Sequence, residues 1–191
     1  VLLSADREVV VHHDFRLKPE IARSPAGKWL GSSPILLLRD LPLPVIRTYD
    51  VGRLRPRTLY GRRYPHQVPA GGERIPSLRD VLALLKKRGD SGTGLWIEIK
   101  TSPEKPELSF PPEMVVGATV QVLKEADALC RGLILSFDPR ALAHAQRIAP
   151  EVPTVRLTRT SSTGTNLKPG KPVPSRRTAG TEPVDDPGSV L

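Results

Sequence analysis

From residue 95 onward the chain alternates short apolar runs with longer amphipathic ones, and no other feature constrains its fold as strongly. Residues 95–100 (Leu-Trp-Ile-Glu-Ile-Lys) read as a strand. Alternation puts Leu95, Ile97 and Ile99 on one face and Trp96, Glu98 and Lys100 on the other. Pro111 and Pro112 suit the opening of a helix that reaches about Asp127, with Val115, Val116, Thr119, Val122 and Leu123 as its buried stripe. Residues 132–137 form a second strand, Asp138 caps a helix over 139–148, and 152–157 form a further strand. Strand, helix, strand, helix, strand implies an α/β fold with parallel strands.

The upstream part is less regular. Residues 9–13 read as a short buried strand, followed by a polar connection through Pro19, Pro25 and Gly27. Asp40 is placed to cap a short helix over 41–49, with Pro42 in its first turn. An Arg-, Gly- and Pro-rich loop fills 52–72. Ser77 then caps a helix over 78–88, where Leu78, Val81, Leu82 and Leu85 share a face and Lys86, Lys87 and Arg88 complement the C-terminal dipole before Gly89.

Length sets the scale. With 191 residues the chain can bury one sizeable core, yet it falls short of the roughly 250 typical of a complete eight-stranded barrel. Two domains are expected: 1–157, which carries the periodic pattern, and 158–191, a Pro/Ser/Thr-rich stretch too poor in large apolar residues to order itself. The net charge of +9 favours anionic partners. Its densest expression, Arg53, Arg55, Arg57, Arg62 and Arg63, has only Tyr60 and Tyr64 as interleaved aromatics, which suits a solvated or phosphate-steering loop better than a nucleic-acid site. Cys130 is the only cysteine, so no internal disulfide forms. No window is long and apolar enough for a membrane span, and no signal sequence is evident. Compartment, periplasmic or cytoplasmic, and oligomeric state stay open.

Two apolar runs end in groups capable of chemistry. Residues 9–11 run into His12, His13 and Asp14, and the 95–100 strand carries Glu98 and Lys100. In parallel sheets and barrels, reactive side chains sit where buried strands emerge at their C-terminal ends. Ordinary polar edges give the same pattern, so the residues alone leave both readings standing. Alternation along a strand also sends His12 and His13 to opposite faces, so only one of them can look into a shared site.

The order of these elements resembles the glycerophosphodiester phosphodiesterase family. The likeness rests on Val10, Val11, His12, His13 and Asp14, then Ile75, Pro76, Ser77 and Leu78, then Trp96, Ile97, Glu98, Ile99 and Lys100; it extends to Leu3, Ser4, Ala5 and Asp6 and to Leu135, Ser136, Phe137 and Asp138. It implies a TIM-type (β/α) barrel, here incomplete at both ends, and metal-dependent hydrolysis of a glycerophosphodiester to glycerol 3-phosphate and an alcohol. By position, the resemblance makes His13 and Lys100 catalytic and Glu98 a metal ligand for a divalent cation, calcium or magnesium. It leaves His12 as a packed, non-catalytic imidazole and Asp14 as either a site-orienting group or a turn residue. It also implies a fragment, because the family's His-Arg-Gly element and its acidic pair are absent from the chain, and hence a weakly active or inactive polypeptide.

The chemistry agrees with the residue types. A phosphodiester is anionic and its alkoxide a poor leaving group, so hydrolysis needs charge neutralisation and proton transfer at the attacking and leaving oxygens. Imidazoles transfer protons near neutral pH, and hard cations prefer oxygen ligands. Two alternatives remain at this stage: a phosphatidylinositol phospholipase-like phosphodiesterase with paired histidines, and a basic, non-catalytic anion-binding module.

Overall fold

A computed structural model describes residues 1–158 and, beyond them, the backbone of Thr160–Ser161 and Gly164–Thr165. Val1–Leu157 form one compact unit and Thr158–Leu191 are grouped apart from it. In the second group, β6 (Thr160–Ser161) and β7 (Gly164–Thr165) pair antiparallel. The remainder of the tail expected to lack order lies outside the described residues.

The first unit is built on the predicted alternation. β3 (Leu95–Glu98), β4 (Gly132–Ser136) and β5 (Thr154–Arg156) make a parallel sheet in that order. In register, Trp96, Leu133 and their neighbours face one side, while Ile97 aligns with Ile134 on the other. Helices α4 (Pro112–Glu125) and α5 (Pro139–Ile148) cover the Ile97, Ile99 and Ile134 face, contributing Val115, Val116, Leu123, Ala141 and Ala145 to a continuous apolar core. Helix α3 (Leu78–Lys87) adds Leu78 and Leu82, its start fixed by a capping box in which Ser77 and Asp80 satisfy each other's backbone N–H groups.

The N-terminal segments depart from expectation in an instructive way. The strand predicted over 9–13 stops at Val10: β2 (Val9–Val10) pairs antiparallel with β1 (Leu2–Leu3), so it belongs to a hairpin and not to the parallel sheet. The turn explains this. Ser4 Oγ accepts from Glu8 N–H at 3.0 Å, and Arg7 takes the left-handed φ of 65° that reverses the chain. β1 nevertheless touches the parallel sheet, because the Val1 amino group donates to the Glu98 carbonyl and Lys100 N–H donates to the Val1 carbonyl at 3.0 Å.

The helix expected over 41–49 is shorter. A 3-10 turn at Leu38–Asp40 leads into α1 (Leu43–Ile46), and Asp40 does not cap it; Asp6 Oδ1, far away in sequence, accepts from Leu43 N–H at 2.9 Å. Leu38, Leu43, Ile46 and Ile75 pack with Leu2, Val10 and Leu17 into a second apolar cluster under the N-terminal loops. The 52–72 loop also contains an unpredicted short helix, α2 (Leu59–Arg63), started by Thr58 Oγ1 accepting from Gly61 N–H at 3.0 Å.

Candidate active site

The end of β3 carries the best-defined group. Glu98 and Lys100 project from the same face, as alternation requires, and Lys100 Nζ lies 2.7 Å from Glu98 Oε1. Oε1 is buried, and its contact with Lys100 is an ion pair that is not aligned as a hydrogen bond. Among the described residues no helix covers that face. It also presents Trp96, Leu133, Leu135 and Val155, of which Trp96 is 79% exposed.

What holds Lys100 in place comes from the neighbouring strand. Ser136 Oγ donates to the Ile99 carbonyl at 2.9 Å, and Thr101 Oγ1 donates to Asp138 Oδ2 at 2.8 Å. Residues on both sides of Lys100 are thereby tied to β4 and the start of α5. Asp138 itself is fully buried; burial alone pushes its carboxyl pKa up, but hydrogen bonds from Arg140 and Thr101 outweigh that and hold it below the usual range. Sequence reasoning identified Asp138 only as a helix cap. Its second role, clamping the exit of the adjacent strand, needed the parallel register to be known.

His13 arrives by a different route. Because β2 runs antiparallel to β1, residues after Val10 return toward Val1, and Val1 is the residue bonded to Glu98 and Lys100. The hairpin therefore brings the His12–Asp14 segment back toward the C-terminal end of β3. The imidazole is open to solvent, 77% exposed, with Nδ1 3.3 Å from Asp14 Oδ1. Asp14 Oδ2 in turn contacts Lys18 Nζ at 2.8 Å, and the bonds from Lys18 and His13 hold the Asp14 carboxyl below its ordinary pKa despite the opposing effect of burial. Among the described residues no hydrogen bond or ion pair joins His13 to Glu98 or Lys100. His12 is the more enclosed of the two; burial lowers its pKa, and its Nε2 is buried without a hydrogen-bond partner among the described residues.

Lys18 was missed at the sequence level. Its only signal is the four-residue spacing from Asp14; it also sits over the Tyr60 ring at 5.1 Å, linking the His13 segment to α2. A cavity of about 790 Å³ lies between α3 and the end of α4, lined by residues such as Lys86, Asp127, Cys130 and Arg131, and none of the candidate site residues borders it.

The family model for glycerophosphoryl diester phosphodiesterases matches residues 1–174. The chain belongs to that family. Among solved structures, a member of the family from Silicibacter pomeroyi is 31% identical with a TM-score of 0.74, over 82% of this chain and 52% of that one. A phosphodiesterase of Oleispira antarctica, solved with the product sn-glycerol-3-phosphate, is 25% identical with a TM-score of 0.54, over 82% and 51%. A glycerophosphodiester phosphodiesterase of Agrobacterium tumefaciens shares the fold, at 20% identity and a TM-score of 0.51, over 80% and 49%. The chain thus spans about half the length of the solved relatives it matches. No curated protein matches it. No helix among the described residues is long and apolar enough to cross a membrane.

Members of the family generally depend on a divalent cation. Glu98 offers such an ion a buried carboxylate oxygen, but Oε1 is already in contact with the Lys100 ammonium at 2.7 Å. It is one ligand only: among the described residues no group of three or more His, Cys, Asp or Glu could hold a metal, whereas calcium and magnesium take six or more oxygens. The described residues by themselves do not fit a divalent cation.

Proposed function

We propose that this chain carries part of the active site of a glycerophosphodiester phosphodiesterase, the part that contacts the phosphate and moves one proton. The observation that carries the reading is the pairing of Glu98 with Lys100 on the bare face at the end of β3, beside the hairpin that returns His13. The parallel sheet with helices on one face is read as an arc of a (β/α) barrel whose interior is that bare face.

In this reading a glycerophosphodiester binds with its phosphoryl oxygens near Lys100. The ammonium is a fixed positive charge at partly desolvated depth, where it stabilises negative charge developing on those oxygens better than water does. A glycerol hydroxyl attacks phosphorus; its O–P bond forms as the bond to the departing alcohol breaks, and water then opens the cyclic phosphate to give glycerol 3-phosphate. His13, exposed and oriented by Asp14, exchanges one of the protons these steps require. Asp14, anchored by Lys18, keeps Nδ1 engaged and so presents Nε2 to substrate. Calcium or magnesium dependence would rest on Glu98 together with ligands from outside the described residues, and no step is assigned to the ion.

The test is release of glycerol 3-phosphate from glycerophosphocholine with calcium or magnesium in excess. We expect turnover by the 191-residue chain far below ordinary enzyme rates, with the residual rate lost in His13→Ala. Turnover at ordinary rates would contradict the incomplete site, and a residual rate indifferent to His13 would contradict the assignment of the proton carrier.

A further inference from the structure

The 52–72 segment is a built structure rather than a slack loop. Asp50, only 7% exposed, accepts from Gly52 N–H at 2.9 Å and from Gly72 N–H at 3.0 Å, and so ties its two ends together; Arg23 pairs with the same carboxylate. Ala70 N–H donates to the Gly52 carbonyl at 2.8 Å, and Gln67 Nε2 reaches the same oxygen at 3.2 Å. Inside this closed loop the rings of Tyr60 and Tyr64 meet at 5.3 Å.

Its surface is unusual in two respects at once. It holds five arginines, Arg53, Arg55, Arg57, Arg62 and Arg63, and no Asp or Glu. No ion pair engages any of the five among the described residues, although the unit elsewhere pairs Arg23, Arg47, Arg79 and Arg140 with carboxylates. Among these charges stand large apolar side chains in water: Leu59 at 75% exposed, Val68 at 83% and Tyr64 at 52%.

We propose that the 52–72 loop docks on an anionic lipid bilayer, with Leu59, Tyr64 and Val68 entering the headgroup region and Arg57, Arg62 and Arg63 pairing with lipid phosphates. Arginines in no ion pair, in a loop that itself holds no Asp or Glu, complement a negative surface, and interspersed apolar and tyrosyl side chains suit the interfacial layer. Nucleic acid fits less well, since Tyr60 is already packed at a tilt against Tyr64 with Lys18 over its ring, and exposed aliphatic side chains serve no purpose against a phosphate backbone. Through Tyr60, Lys18 and Asp14 the docked face adjoins the His13 segment.

The 191-residue chain is to be sedimented with vesicles of phosphatidylcholine alone and of phosphatidylcholine mixed with phosphatidylglycerol, over a range of salt. The proposal expects binding only to the mixed vesicles. Arg62→Glu with Arg63→Glu should weaken it by roughly 25-fold or more. Leu59→Ser with Val68→Ser, which leaves charge unchanged, should weaken it by roughly tenfold. All four side chains are exposed, so circular dichroism should show folding intact in both variants. Absence of binding to the mixed vesicles overturns the proposal, as does binding unaffected by the serine pair. A single-stranded oligonucleotide that binds more tightly than the vesicles, again without dependence on Leu59 and Val68, would reassign the loop to nucleic acid.

Discussion

Lys100 Nζ lies 2.7 Å from Glu98 Oε1, two residues apart on one strand, and both side chains are largely withdrawn from solvent at 13% and 23% exposed. An ammonium at that depth is costly unless a negative charge compensates it, and the same holds for the carboxylate. Each charge of the pair therefore compensates the other's burial, and in the proposed function it is Lys100 that would turn to a phosphate oxygen. Lys100→Met should destabilise the fold by about 1–3 kcal/mol, because it strands Glu98, whereas Lys100→Met combined with Glu98→Gln should recover most of that loss. Urea unfolding of the single and double variants measures the coupling, and additive effects would contradict it.

The two adjacent histidines should separate cleanly. His13→Ala should lower any residual phosphodiesterase rate by roughly 100-fold or more while leaving stability within about 0.5 kcal/mol, since the ring is exposed. His12→Ala should do the reverse, removing an enclosed ring and costing stability. Thermal melts beside glycerol 3-phosphate release distinguish them, and equal effects on both measures would contradict the assignment.

How much of this was legible beforehand differs along the chain. The parallel unit was, because each strand and helix from Ser77 to Arg156 carries its own period or start signal: Ser77, Pro112 and Asp138 mark helix starts from local chemistry alone. Glu98 and Lys100 followed from alternation on such a strand. The route of His13 did not. A run of valines looks the same in a hairpin as in a parallel sheet, and the antiparallel return depends on the Ser4 to Glu8 turn, whose left-handed residue is Arg7 and not glycine. Asp6 capping a helix near Leu43, and Asp50 joining both ends of a loop, are tertiary contacts with no local spacing to announce them.

Asp50 makes the fold sensitive to acid. The Gly72 N–H, then the Gly52 N–H and Arg23, outweigh burial and hold its carboxyl well below the usual range. A carboxyl depressed in the folded state stabilises above its unfolded pKa, about 3.9, and loses that contribution as pH falls toward the folded value. Asp50→Asn should therefore be less stable than the parent at neutral pH, and the gap should shrink as pH falls below about 4. Urea midpoints at both pH values check this, and a gap constant with pH would contradict it.

Gly52 has no room for a side chain. A Cβ there would stand 1.7 Å from the Ala70 carbonyl oxygen, a backbone atom that cannot turn aside. Gly52→Ala should open the base of the 52–72 loop at a cost of about 1–3 kcal/mol and expose the Arg57 to Arg63 stretch to trypsin. Gly92→Ala, with open space around its Cβ, is the matched control. Equal tryptic lifetimes of the two variants would show that the loop is not closed in this way.

The central claim, that the Glu98 and Lys100 edge receives a phosphate ester, is tested most directly by calorimetric titration of the 191-residue chain with sn-glycerol 3-phosphate. The account predicts one site per chain, weakened at least about tenfold by Lys100→Met and unchanged by Arg62→Glu with Arg63→Glu. Binding that survives Lys100→Met intact, or that disappears with the loop arginines instead, would contradict it.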